Sequence, residues 1–208
     1  MTRATVLRMP VLLWALLLGA VAVGATVVED PGALVRDTSD RMLAVLQAQH
    51  DAIEADPTRL YGLVDEIVLP HFDFERMSRW ALGKHWRQAD AQQQREFVNQ
   101  FRTLLVRTYG TALLEYTGQQ VNYLPVRISA DGKDATVRTE VIKPGAPPIP
   151  INYSMYLGNQ GWKVYDVVID GISLVSNYRT TFAAEIRNHG IDALIKRLAD
   201  RNATGGEV

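Results

Sequence analysis

The sequence predicts an α+β fold in which a four-stranded antiparallel sheet is covered by helices. Two observations carry that expectation. Apolar residues recur at three- and four-residue steps up to Tyr116, change to a period of two from Gln119 to Ile169, then return to helical spacing as far as Leu198. The alternating runs are joined by short connections, which suit an antiparallel meander rather than crossovers.

The elements can be justified in order. Arg3 and Arg8 precede the apolar run VLLWALLLGAVAV, and Val23 and Ala25 supply the small residues of a cleavage site. Residues 1–25 therefore read as a signal peptide and residues 26–208 as a single domain. The uncharged stretch from Met9 to Val28 is also about long enough to span a bilayer, but the polar VVEDPG after it fits processing. Asp30-Pro31 and Asp56-Pro57 each start a helix, a capping carboxylate followed by proline in the first turn. A shorter helix is expected over Phe74 to Leu82. Asp90 and Gln93 make a capping box for the longest one, which carries Phe97, Phe101, Leu104, Leu105, Tyr109, Leu113 and Tyr116 and stops at Gly118.

The sheet follows. Val121 and Tyr123 alternate up to Pro125, where the phase shifts to Val126 and Ile128, as a bulge or edge requires. After the Asp131-Gly132 turn come Val137, Thr139 and Val141. The stiff KPGAPPIP connection leads into Ile149, Ile151, Tyr153, Met155 and Leu157, and GNQG turns the chain into Trp162 to Ile169. This last strand is apolar in both phases, with Trp162, Val164 and Val168 on one and Tyr165, Val167 and Ile169 on the other. Cover on both faces is one account; a concave sheet enclosing a ligand cavity is the other. Ser173 caps a helix to about Asn188, and Ile191, Leu194, Ile195 and Leu198 mark the last.

Composition narrows the function. Basic and acidic residues number 22 and 23, a formal charge of −1, which leaves no electropositive footprint for nucleic acid. With no cysteine there is no disulfide, and a lipid-modified N-terminal cysteine is excluded. The histidines His50, His71, His85 and His189 are scattered. In HFDFE, His71, Asp73 and Glu75 alternate, but carboxylates ahead of a helix are expected as its cap rather than as metal ligands. Ser173 lies outside any nucleophile elbow, and no phosphate-binding glycine loop occurs. Asp166 and Asp170 share one strand phase and are the remaining candidates for a buried base, hence for an isomerase or hydrolase acting in the cavity.

Two segments, MSRWALGKHWRQADAQQQREFVNQFRTLLVRTYGTALLEY (77–116) and GWKVYDVVIDGISLVSNYRTTF (161–182), carry a resemblance to a known family. They resemble the MlaC/Ttg2D family of periplasmic phospholipid-binding proteins, and the likeness runs from about Asp30 to Arg201. The resemblance implies a curved sheet wrapped by helices, of the nuclear-transport-factor-2 type, with an apolar cavity for acyl chains and no cofactor. It implies a carrier between an inner-membrane ABC transporter with an MCE-domain protein and an outer-membrane lipoprotein–porin complex, maintaining outer-membrane lipid asymmetry. Facing direction then nominates the lining: Phe101, Leu105, Tyr109 and Leu113 from the long helix, Val141, Ile151, Tyr153, Met155, Val164 and Val168 from the sheet, and Leu174, Val175 and Tyr178 from the next helix. Arg138 and Arg179 are the candidates for the headgroup.

Overall fold

The computed structural model describes residues 30–114 and 119–204. Helix α1 (Pro31–Ala48) begins where Asp30 accepts the Ala33 amide at 2.9 Å. The first helical stretch is longer than expected and breaks once, at Gln49, before a short α2 (His50–Ala55). The Asp56 carboxylate accepts both the amide and the hydroxyl of Thr58 and so opens α3 (Thr58–Ile67). A single 3-10 turn at Leu69–His71 leads into α4 (Phe74–Leu82), and the predicted capping box starts α5 (Ala91–Gly110).

The regular part of α5 ends earlier than the periodicity suggested. The chain tightens into a 3-10 turn at Thr111–Leu113, where the Thr111 hydroxyl donates back to the carbonyls of Arg107 and Thr108. A residue that bonds its own helix backbone, following a glycine, weakens regular continuation. Tyr116 and the Gly118 stop lie outside the described residues.

The sheet runs β1 (Gln120–Ile128), β2 (Asp134–Ile142), β3 (Ile149–Gly158), β4 (Gly161–Ile169) and β5 (Ile172–Ser173), in spatial order 1-2-3-4-5 and antiparallel throughout. The expected meander is present, with a two-residue fifth strand added where the chain turns at Asp170-Gly171. Helices α6 (Leu174–His189) and α7 (Ile191–Ala203) complete the chain.

Two bulges decide what each strand faces. Leu124 pairs with Arg138 but Arg127 pairs with Thr136, so Pro125 and Val126 together oppose Val137. This is the phase shift that the proline announced, since a residue without an N–H leaves the ladder cheaply at such a point. A second bulge was not legible. Ser154 pairs with Asp166 and Met155 with Val164, which leaves Tyr165 as an extra residue in β4. Beyond it the side-chain alternation is inverted.

One face of the sheet packs on α1, α4, α5 and α6. Its core contains Ala135, Val137, Met155, Trp162, Val164 and Val167 from the strands and Phe97, Phe101, Leu104, Leu174, Val175 and Phe182 from the helices. The rings of Phe97, Phe101, Tyr178 and Phe182 lie 5.3–5.6 Å apart in stacked and edge-on pairs. A second apolar cluster, built on Met42, Leu46, Leu60, Val64 and Ile67, joins α1 to α3. Helix α1 reaches both clusters and approaches the sheet closely at Gly32, where an added Cβ would stand 2.7 Å from a Val126 methyl.

Candidate functional site

The predicted lining residues separate into groups. Phe101, Leu105, Met155, Val164, Leu174 and Val175 belong to one buried core, with Phe101 and Met155 fully enclosed at 0% exposure. Tyr109, Ile151, Tyr153 and Tyr178 pack against that core but keep accessible surface. Leu113 joins the second cluster, and Val141 is half-buried opposite Val121 and Ile149.

Val168 requires a correction. It pairs with Asn152, next to the Tyr153–Val167 pair, so it points away from the helices while Val167 takes the inner position. The extra residue at Tyr165 is the cause, because one inserted residue exchanges the two faces of everything after it. Arg138 is likewise on the outer face, paired with Leu124 and Asn152, and donates to the Pro125 carbonyl at 3.1 Å, bracing the bulge. Arg179 is exposed, and its guanidinium lies flat against Gly83 at the end of α4, where a Cβ would meet it at 3.0–3.2 Å.

The partly accessible tyrosines at the margin of the core make up the candidate site. The Tyr109 phenol on α5 stands near that of Tyr178 on α6, and burial, followed by the neighbouring Tyr178 phenol, pushes Tyr109 up to about 12. Burial also raises Tyr153, whose phenol lies near the Thr139 hydroxyl and the Tyr123 phenol. Thr139 is itself buried and donates to the Ile151 carbonyl at 3.0 Å. Tyr123 reaches α1, where it lies near Ser39, donates to Asp40 at 3.5 Å and carries the Arg36 guanidinium 3.9 Å above its ring. Apolar rings with hydroxyls placed at their ends suit a mixed apolar and polar ligand.

The other sequence candidates have structural duties. Asp73 caps α4 through the Arg76 amide at 2.8 Å and accepts from the Tyr156 hydroxyl, while Glu75 pairs with Arg79 at 2.8 Å. Asp166 accepts the Ser173 hydroxyl at 2.6 Å and the Val175 amide at 3.2 Å, and Ser173 caps α6. Asp170 sits in the β4–β5 turn with a φ of 50° and is exposed. Asp166 is occupied by the start of α6 and Asp170 is exposed in the turn, so neither is placed as a buried free base. Among the described residues, His50, Asp51 and Glu54 do bring three ligand-type atoms within 4.8 Å, but all are exposed on the six-residue α2.

Comparison with known proteins now bears on the arrangement. Residues 36–200 match the MlaC protein family. The chain belongs to the MlaC family. A relative from Haemophilus influenzae, the intermembrane phospholipid transport system binding protein MlaC, is 27% identical over 172 residues, spanning 81% of this chain and 80% of that one. The toluene tolerance protein ttg2D of Pseudomonas putida is 28% identical over 177 residues, spanning 85% and 82%. A solved structure of the phospholipid-binding protein from Ralstonia solanacearum, in complex with a phospholipid, superposes with a TM-score of 0.79 at 34% identity, covering 86% of this chain and all of that one.

The MlaC-family assignment confirms the resemblance carried by the two quoted segments and the expected α+β class. Sequence reasoning missed Arg36, Ser39, Asp40, Tyr123 and Thr139, the residues that meet around Tyr123 and Tyr153. The first three lie on the polar side of α1, which reads as a solvated face. Tyr123 and Thr139 were visible only as members of an alternation. No helix among the described residues is long and apolar enough to cross a membrane.

The raised phenols make a prediction. A folded-state value above the ordinary tyrosine value of about 10 favours the neutral ring in the fold. The stability it contributes is complete below pH ~10 and is lost as pH rises through the folded-state value. Urea midpoints measured across pH 10–12 should therefore fall steeply, and Tyr109→Phe should make the fall shallower; an unchanged slope would place the titration elsewhere.

Proposed function

We propose that this chain is a periplasmic phospholipid carrier. It is exported by the leader at residues 1–25 and folds as one domain from residue 26. The observation that carries the reading is the phospholipid bound to the Ralstonia relative, whose fold this chain shares over nearly all of the described length. In this reading the acyl chains lie between the sheet and helices α1, α5 and α6, in a chamber that opens among Tyr109, Tyr123, Tyr153 and Tyr178. Phe101, Met155 and Val164 form its floor.

Physical chemistry supports a carrier. Each methylene exposed to water costs about 0.8 kcal/mol, so a chain of about 15 costs on the order of 12 kcal/mol. A protein moving lipid through an aqueous compartment must cover that surface and leave the headgroup near solvent. Partly accessible aromatic residues behind a polar rim do both, and no step of chemistry is needed. In this reading the chain exchanges lipid with an inner-membrane ABC transporter bearing an MCE-domain protein and with an outer-membrane lipoprotein–porin complex, maintaining outer-membrane lipid asymmetry. The name of the Haemophilus relative supports the transport role.

The test is direct. Protein purified from residue 26 onward, extracted with organic solvent and weighed by mass spectrometry, should yield stoichiometric phospholipid. After delipidation it should take up lipid from liposomes. An empty extract together with no uptake would remove the carrier reading.

A further inference from the structure

Where α1 meets Tyr123, two opposite charges flank one tyrosine. Arg36 and Asp40 are four residues apart on α1 and so lie on the same side of the helix. They do not pair with each other. The Arg36 guanidinium lies over the face of Tyr123, 3.9 Å from its centroid, and Asp40 accepts from the hydroxyl at the far edge of the ring at 3.5 Å. Among the described residues, neither side chain takes part in an ion pair. Both are exposed, while Tyr123 packs on the core and its hydroxyl lies near that of Tyr153 inside. Asp37, the other acidic residue close by on α1, is three residues before Asp40 and lies beside it on the helix, while Asp40 is the carboxylate that reaches the Tyr123 hydroxyl.

This arrangement places a cation and an anion, separated by one phenol ring, at the margin of the apolar core. Resting on the carrier reading, we propose that Arg36 and Asp40 form a headgroup clamp that selects a phospholipid with a primary ammonium over an anionic one. The planar fork of Arg36, preorganised by stacking on Tyr123, takes the phosphodiester. Asp40 takes the ammonium that a phosphatidylethanolamine carries beyond its phosphate. An anionic lipid such as phosphatidylglycerol satisfies the arginine but offers the carboxylate only a neutral hydroxyl. Neither Arg138, which braces the first bulge, nor Arg179, which covers Gly83, is placed for this role.

The clamp is solvent-exposed, so the discrimination it gives is modest, about three- to fivefold, as for a surface ion pair. Delipidated protein is incubated with liposomes of equimolar phosphatidylethanolamine and phosphatidylglycerol, repurified and extracted, and both lipids are quantified by mass spectrometry. The unmodified protein should hold the ethanolamine lipid in about three- to fivefold excess. Asp40→Asn should bring the ratio to about one with the total load unchanged, and Arg36→Gln should lower the load of both lipids. Melting curves of the three proteins should coincide, because both side chains are exposed. A full load with a ratio of one in the unmodified protein, an excess of the glycerol lipid, or a preference that survives Asp40→Asn would overturn the clamp alone. No lipid in any of the three proteins would overturn the carrier reading and the clamp together.

Discussion

Val167→Arg should unfold the protein or empty it of ligand, while its neighbour Val168→Arg should be nearly silent. Val167 is buried on the inner face, paired with Tyr153 and packed in the main core. A guanidinium placed there has no carboxylate to meet and must either drag water inward or push α6 off the sheet. An unpaired buried charge costs about 4 kcal/mol or more. Val168 is half-buried on the opposite face beside Asn152, where an arginine stem can lie along the strand and leave its head in water. Its substitution should cost within about 1 kcal/mol. Urea unfolding of the two variants, with lipid content measured on the same samples, checks the inverted register. If Val168→Arg were the damaging change, the bulge at Tyr165 would be misplaced.

The second large effect concerns the aromatic cluster. Phe97 is fully buried, stacked 5.6 Å from Phe101 and edge-on 5.4 Å from Phe182. Phe97→Ala removes its ring from the junction of α5 with α6 and leaves a void that two rings must fill by moving. Such truncations cost about 3–5 kcal/mol, beyond which each lost aromatic pair contributes roughly 1 kcal/mol. For a chain of this size that lowers the melting temperature by about 10 °C. Phe97→Leu should recover part of the loss. A melting temperature within about 2 °C of the unmodified protein would show that the cluster does not hold α5 to α6.

What could be read without coordinates follows from how local each signal is. Caps are local, and Asp30, Asp73, Asp90 and Ser173 all cap the helices they were expected to start. The first bulge was legible because proline forces it. The second was not, since Val164 to Ile169 is apolar in both phases and an insertion in such a run leaves no trace in the pattern. The candidate site was half legible for the same reason. Tyr109, Tyr153 and Tyr178 sit on apolar stripes, whereas Arg36 and Tyr123 are 87 positions apart and meet only because α1 crosses the sheet at Gly32. The break at Gln49 rests on one residue with a φ of −112° and ψ of 17°, which propensity does not mark.

The treatment of the sheet margins sets how other proteins can engage this one. On one side the Phe72–Val164 bridge and the Asp73 amide, which donates to the Val164 carbonyl, occupy the backbone of β4 that β5 leaves uncovered. On the other, Pro125 interrupts β1 at mid-length. A visiting polypeptide therefore finds no long ladder on which to zip itself. Recognition must come through side chains, which makes each encounter brief and releasable.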